Sequence, residues 1–120
     1  MAILGLVLGL SISSPVAAGE VKVEGAEVTQ GSNGTYRFSV TLRHADNGWD
    51  HYADRWQVLS PKGDILATRV LMHPHDSEQP FTRGMSGVAI PDGIIWVNIR
   101  GHDMVHGDGP QMLKVTLPGR

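Results

Sequence analysis

An all-β fold is predicted by the way apolar and polar residues alternate along residues 19–120. Short runs with the two-residue period of a half-buried strand are separated by clusters of Gly, Pro, Asn and Asp. No segment keeps the 3.6-residue period of an amphipathic helix. Seven such runs in one short domain are typical of an immunoglobulin-like or fibronectin-like β-sandwich, here without the Cys-Trp-Cys signature of a true immunoglobulin domain.

Each predicted strand ends at residues that favour turns or loops. Three connections are compact turn sequences, namely QGSNG, SPKGD and PDG. The other three, 44–53, 73–80 and 102–110, are longer loops. In chain order the seven strands are predicted at 20–29, 34–43, 54–60, 65–72, 81–89, 94–101 and 111–117.

The three longer loops share one end of the predicted sandwich, because consecutive antiparallel strands alternate in direction. These loops contain all six histidines of the chain. In a sandwich of this type the third strand lies between the fourth and the sixth. With neighbouring strands about 4.8 Å apart, we expect His51, His73 and His102 within about 10 Å of one another along one sheet rim.

Strand parity predicts which side chains face the core, since successive side chains of a strand point to opposite faces. Strand parity places His44 at the interior rim. It predicts that the side chains of four other histidines point outward, namely those of His51, His73, His75 and His102. The residues predicted to face inward are Tyr36, Phe38, Val40, Leu42, Trp56, Val58, Leu66, Val70, Met72, Ile95, Val97 and Ile99.

The histidine-bearing end is a predicted metal site, because imidazole is a common metal ligand. Pro74 favours an extended chain that projects His73 and His75 to one side. The glycines of GHDMVHGDG allow the loop to fold two rings inward. Each ring also has a structural interpretation, as a packed or hydrogen-bonded loop residue, and His44 has the strongest one. The candidate ligands are His44, His51, His73, His75, His102 and His106.

The absence of cysteine leaves histidine, carboxylate, methionine and backbone oxygen as the available donors. Imidazole-rich sites suit Cu(II), Zn(II) and Ni(II), and Met72 and Met104 add thioether donors that favour Cu(I). Copper is therefore the expected ion, with zinc as the alternative. Neighbouring carboxylates are expected to orient the rings, with or without a metal: Asp50, Asp54, Asp76, Glu78, Asp103 and Asp108.

A metal-free binding module is the alternative interpretation. Parity places four basic residues on one outward sheet face beside Trp96, which suits an anionic ligand or another exported protein, although solvated faces show the same pattern. A pH response of the histidines is a third interpretation. The four basic residues are Arg55, Arg69, Arg100 and Lys114.

A binding role is expected rather than an enzyme. The sequence holds no nucleophile elbow, phosphate-binding Gly loop or metalloprotease helix motif. With 10 basic and 12 acidic residues, the near-neutral balance gives no reason to expect nucleic acid as a partner.

The first eighteen residues, MAILGLVLGLSISSPVAA, have the character of a secretory leader. They carry no charge and pass from an apolar run to small residues that suit cleavage before Gly19. The run is too short for a good membrane span. The expected organisation is a leader at 1–18 and a single β-sandwich domain at 19–120, in a periplasmic or secreted protein without a stable span once the leader is removed.

Three motifs, HADNGWDHYADRWQVLSPKGD, RVLMHPHDSEQPFTR and GHDMVHG, cover much of the predicted domain. They resemble those of a group of small, exported, uncharacterised bacterial β-sandwich proteins. The resemblance implies export and a β-sandwich, and it implies no catalytic or ligand assignment. Met104 stands in the last motif where the group suggests a small polar residue.

Overall fold

Two antiparallel sheets pack against each other through an apolar core. The structure is a computed structural model that describes residues 20–120, so the predicted leader lies outside the described residues. The strands are β1 (Lys22–Gln30), β2 (Tyr36–Arg43), β3 (Ala53–Leu59), β4 (Ile65–Val70), β5 (Phe81–Val88), β6 (Trp96–Asp103) and β7 (Gly107–Thr116). One sheet has the order β1-β2-β5 and the other the order β4-β3-β6-β7.

The prediction of an all-β fold is confirmed. Residues 20–120 contain seven strands and a short 3₁₀ turn at Ser32–Gly34, with no α-helix among them. The third strand lies between the fourth and the sixth, as expected. Within the same residues, no helix has the length and apolar character needed to cross a membrane.

The core follows strand parity over most of its length. Both sheets contribute to it, and Phe38, Trp56 and Ile99 are fully buried between them. The other residues predicted to face inward and found buried are Tyr36, Val40, Leu42, Val58 and Val97, while Leu66 is partly buried against the core.

The parity prediction is wrong along β4. A register shift between Val58 and Leu59 pairs Trp56 with Arg69 and Arg55 with Val70. Because residues paired across antiparallel strands point to the same face, Val70 lies on the outward face, where it is 54% exposed.

The predicted burial of Met72 and Ile95 is also wrong, because both residues lie outside the strands. Met72 follows the end of β4 and is exposed, while Leu71 is buried in its place. Ile95 precedes β6 and is likewise exposed.

The end of the sandwich formed by residues 44–52, 71–80 and 104–106 is called the loop pole here. Two of its connections are loops, as predicted, but the prediction of a long loop at 102–110 is wrong. β6 continues to Asp103 and β7 begins at Gly107, so only a tight turn joins them. Gly107 adopts a φ of 78°, which favours glycine at the exit from this turn.

A substitution at Trp56 tests how much the buried core contributes to the stability of the fold. We expect Trp56→Ala to lower the free energy of unfolding by about 3–5 kcal/mol, because it removes the largest fully buried side chain. Trp56→Phe should recover most of that loss, since the indole Nε1 has no hydrogen-bond partner within residues 20–120. Urea denaturation monitored by circular dichroism measures both values. A cost for Trp56→Ala similar to that of a surface substitution would contradict this description of the core.

Candidate metal centre

The six histidines gather at the loop pole and the adjoining strand ends, but they form three groups. His44, His51 and His106 surround the carboxylate of Asp103, and these four residues are called the inner cluster. His73 and His75 form a separate pair, with ring centroids 4.7 Å apart. His102 lies on the opposite face of β6 from Asp103 and contacts Asp54.

Three residues of the inner cluster bring potential ligand atoms together. His44, His51 and Asp103 each offer one such atom, and these atoms lie within 4.8 Å of one another. His51 Nε2 is 3.3 Å from Asp103 Oδ1, and His44 Nε2 is 3.8 Å from Asp103 Oδ2. The rings of His44 and His51 meet edge to face with centroids 4.7 Å apart. Parity sent His51 outward, whereas its ring lies against buried Asp103.

Asp103 is the buried anion of the cluster. Its side chain points inward from the end of β6 and has no exposed surface. Burial opposes ionisation, but hydrogen bonds donated to Oδ1 by the backbone N–H groups of His106 and Val105 outweigh that effect and lower the pKa of Asp103. Asp103 Oδ2 is buried and accepts no hydrogen bond from residues 20–120. The carboxylate thus has one satisfied oxygen and one available oxygen.

A second buried carboxylate orients His44. His44 Nδ1 lies 2.5 Å from Asp46 Oδ1, and neither side chain is exposed. Asp46 also accepts hydrogen bonds from the backbone N–H groups of Ala53 and His75. Because the carboxylate accepts the Nδ1 proton, a neutral His44 ring carries its lone pair on Nε2, the atom nearest Asp103.

The cluster opens to solvent on the side of His106 and His51. The His106 side chain is 34% exposed and that of His51 is 22% exposed. Their ring centroids lie 5.0 Å apart, and His106 Nδ1 is 3.2 Å from Asp103 Oδ1. His106 is therefore placed to serve as a further donor at the exposed edge.

His75 does not face outward as parity predicted. Its ring is buried and stacks on Phe81 with centroids 4.0 Å apart. Burial lowers the pKa of His75, and the charges of Arg83 and His73 lower it further against the opposing effects of nearby carboxylates. His73 is exposed, as expected.

His102 and the basic residues predicted on the outward sheet face contact neighbouring protein groups. His102 Nδ1 lies 2.5 Å from Asp54 Oδ1, so His102 is separated from the inner cluster by β6 itself. Arg100 donates to Gln57 Oε1, and Lys114 lies over the ring of Trp96. Arg69 was predicted on the outward face, but its Nε donates to Gly84 O and so joins β4 to β5.

The thioether donors considered for copper lie in exposed positions. Met72 is 73% exposed and Met104 is 51% exposed. The inner cluster therefore offers nitrogen and oxygen donors.

Sequence reasoning missed the role of Asp46 and counted Asp103 only as a neighbouring carboxylate. The spacing His44-Ala45-Asp46 was a usable signal, because a short loop lets a carboxylate reach the ring two residues before it. Strand parity could also have predicted the burial of Asp103, because a strand that points His102 outward points the next residue inward. His44 at the interior rim was predicted and is found buried.

Comparison with known proteins shows similarity to an archaeal relative named as a lipoprotein. The chain is 50% identical over 78 residues to a protein of Halomicrobium mukohataei named "Putative lipoprotein", and the match covers 65% of this chain and 38% of that relative. The chain thus spans well under two thirds of the relative's length. No protein-family model matches the sequence. No solved structure matches it either.

The lowered pKa of His75 predicts a pH dependence of stability in the metal-free protein. In the unfolded chain His75 takes up a proton near pH 6.5, whereas in the folded protein it does so only at a lower pH. The contribution of His75 to the free energy of unfolding is therefore complete above pH 6.5 and is lost as the pH falls towards the lower folded pKa. Urea denaturation at a series of pH values measures this slope.

His75→Phe should flatten the slope below pH 6.5, because it keeps a ring against Phe81 without a titrating group. His73→Phe is the comparison variant and should flatten the slope less, because it removes one charge that lowers the pKa of His75 but leaves the His75 ring buried. Equal slopes in the wild type and His75→Phe would show that His75 does not resist protonation in the folded protein.

Proposed function

We propose that the protein is an exported metal-binding protein whose inner cluster holds a divalent transition-metal ion. His44, His51 and Asp103 would supply the principal ligands, with His106 at the exposed edge. The observation that carries the proposal is the convergence of three potential ligand atoms within 4.8 Å, one of them on a carboxylate with a buried oxygen that accepts no hydrogen bond from residues 20–120.

Physical chemistry supports a cation at this position. A buried carboxylate oxygen without a partner costs free energy, which a metal ligand bond would offset. The lowered pKa of Asp103 keeps the carboxylate charged at neutral pH. Asp46 holds His44 in the arrangement common around metals, in which a carboxylate accepts one ring proton while the other ring nitrogen binds the ion.

The donor set suits Zn(II) and Cu(II). Both ions accept imidazole and carboxylate ligands, and the usual affinity order places Cu(II) above Zn(II) at a given site. The exposed positions of Met72 and Met104 give no support for a thioether ligand in this cluster. Copper therefore stays the first proposal and zinc the second, with both in the divalent state here.

Binding, rather than catalysis, is the proposed role. With His106 included, the cluster provides four protein donors, which would fill a tetrahedral site, whereas catalytic zinc sites keep one position for water. The deep burial of His44 and the partial exposure of His106 favour an ion that enters and leaves by one edge. Sequestration, delivery and sensing all use such a site.

Export is supported by two independent features. The apolar, uncharged residues 1–18 have the composition of a leader, and the relative from Halomicrobium mukohataei bears a lipoprotein name. We infer a periplasmic or secreted location on that basis. We also infer a fibronectin-like sandwich, which the partition of three strands against four supports.

The metal-free alternative gains less support. Of the four basic residues proposed for an anionic ligand, Arg69 bonds to the neighbouring strand, Arg100 to Gln57, and Lys114 stacks on Trp96. A ligand would have to compete with these contacts for the same groups.

Metal titration of matched variants tests the inner cluster. We expect the protein to bind one Zn(II) ion in this cluster, and Asp103→Asn or His51→Gln to weaken that affinity more than about 100-fold, because each removes a direct ligand. His102→Gln removes a histidine across β6 and should leave the affinity unchanged. Isothermal titration against a competing chelator measures all four proteins. Equal Zn(II) affinity in the wild type and Asp103→Asn would refute the proposal.

Asp46→Asn tests the orienting role of the second carboxylate. The amide can present its nitrogen to His44 Nδ1 and so lose the preference for a lone pair on Nε2. We expect Zn(II) affinity to fall about 10- to 100-fold, the usual effect of losing a residue that orients a metal-bound histidine. Wild-type affinity in a folded Asp46→Asn protein would show that the carboxylate does not orient the ligand.

A further inference from the structure

Asp46 connects the inner cluster to a second pair of imidazoles. Its Oδ1 atom contacts His44 Nδ1, and its Oδ2 atom accepts the backbone N–H of His75 at 2.6 Å. The side chain of His75 also approaches Asp46, with Nδ1 3.9 Å from Oδ2. One buried carboxylate therefore lies next to two histidine rings that belong to different groups.

His75 carries two buried nitrogen atoms without hydrogen bonds. Its side chain is only 5% exposed, and neither Nδ1 nor Nε2 has a hydrogen-bond partner within residues 20–120. Each such atom costs free energy when it is left unsatisfied. One face of the ring stacks on Phe81. A neutral imidazole has a lone pair on one of its two nitrogens.

His73 is arranged to present its remaining nitrogen. Its Nδ1 lies 3.0 Å from Pro74 O, which can only accept a hydrogen bond, so a neutral His73 ring carries its lone pair on Nε2. His73 is exposed, and its ring lies 4.7 Å from that of His75. The pair thus combines one buried ring with one exposed ring.

The nearby acids already have other partners. Asp76 Oδ1 accepts the backbone N–H of Gly48, and Glu78 pairs with Arg83. A thioether is close in sequence, since exposed Met72 immediately precedes His73. Two neutral imidazoles and a thioether are soft or borderline donors, and few in number, which suits copper(I) better than zinc(II) with its need for four ligands.

We propose that His73 and His75 form a second metal site that binds copper(I), separate from the inner cluster, with Met72 as an additional donor. A small rotation would bring His75 Nδ1 from 3.9 Å into hydrogen-bond distance of Asp46 Oδ2. His75 Nε2 would then bind the ion together with His73 Nε2. Both buried nitrogens of His75 would gain a partner, and the site does not require an ion in the inner cluster.

The test is an anaerobic titration of the full chain with Cu(I) against a coloured Cu(I) chelator. We expect Cu(I) affinity to fall at least about tenfold in His75→Phe, which keeps the ring packing but removes both donor atoms, because losing a direct ligand costs at least as much as losing an outer partner. His73→Phe should show a similar loss, and it changes an exposed residue that folding does not need. Asp103→Asn and His102→Gln are the controls and should keep wild-type Cu(I) affinity.

The outcomes separate the two sites. Loss of Cu(I) affinity in both His73→Phe and His75→Phe, with none in Asp103→Asn, supports the second site. If Asp103→Asn also retains wild-type Zn(II) affinity, the second site stands and the inner cluster fails as a metal centre. Wild-type Cu(I) affinity in His73→Phe would overturn the second site, as would a loss of Cu(I) in Asp103→Asn alone.

Met72→Leu provides a check on the metal type. Leucine retains much of the volume of this exposed side chain and removes the sulfur donor. Cu(I) affinity should fall in this variant, whereas Zn(II) binding to the inner cluster should not change. Unchanged Cu(I) affinity would remove Met72 from the proposed ligand set.

Discussion

The arrangement of the loop pole depends on the burial of two carboxylates, Asp46 and Asp103. Neither side chain is exposed, so each needs hydrogen-bond donors from the protein in place of water. Backbone N–H groups supply part of this need: Ala53 and His75 donate to Asp46, and Val105 and His106 donate to Asp103. Imidazole rings lie beside both carboxylates: His44 contacts Asp46, and His51 and His106 lie next to Asp103. The carboxylates thus decide where the histidines lie and which nitrogen atoms they present.

The sandwich provides the rigid frame that makes this possible. Asp103 stands at the end of a central strand of the four-stranded sheet, and its position is fixed by pairing with β3 and β7. The tight turn after Asp103 directs two backbone N–H groups at one of its oxygens. His44 comes from the loop after β2 in the other sheet, so the inner cluster forms where the two sheets meet. The cluster is therefore a consequence of sheet packing as well as of loop sequence.

Much of the fold followed from the alternation of residues, because the buried residues of β2 and β6 keep a strict two-residue period. Prediction failed in β4, where one register shift reverses the outward side, and at the β6–β7 turn, where GHDMVHGDG resembles a flexible loop but continues both strands. Neither feature can be recognised from local composition, because the register of a strand depends on the strand with which it pairs.

The convergence of the histidines at one end was predicted, but their division into groups was not. His51 and His102 were expected along the same rim, but His51 contacts Asp103 and His102 contacts Asp54 on the other side of β6. In the loop before β3, an isolated bridge pairs His51 with Asn47. The hydrogen bond from His75 N–H to Asp46 joins two loops whose residues are 29 positions apart in the chain. No local sequence pattern encodes such a contact.

X-ray diffraction from crystals loaded with Zn(II), measured at the zinc absorption edge, can locate the ion. We expect an anomalous peak about 2.0–2.2 Å from ring nitrogens of His44 and His51 and from an oxygen of Asp103, as for zinc–nitrogen and zinc–oxygen bonds. A peak found only beside His102 and Asp54, with none inside the inner cluster, would contradict this expectation.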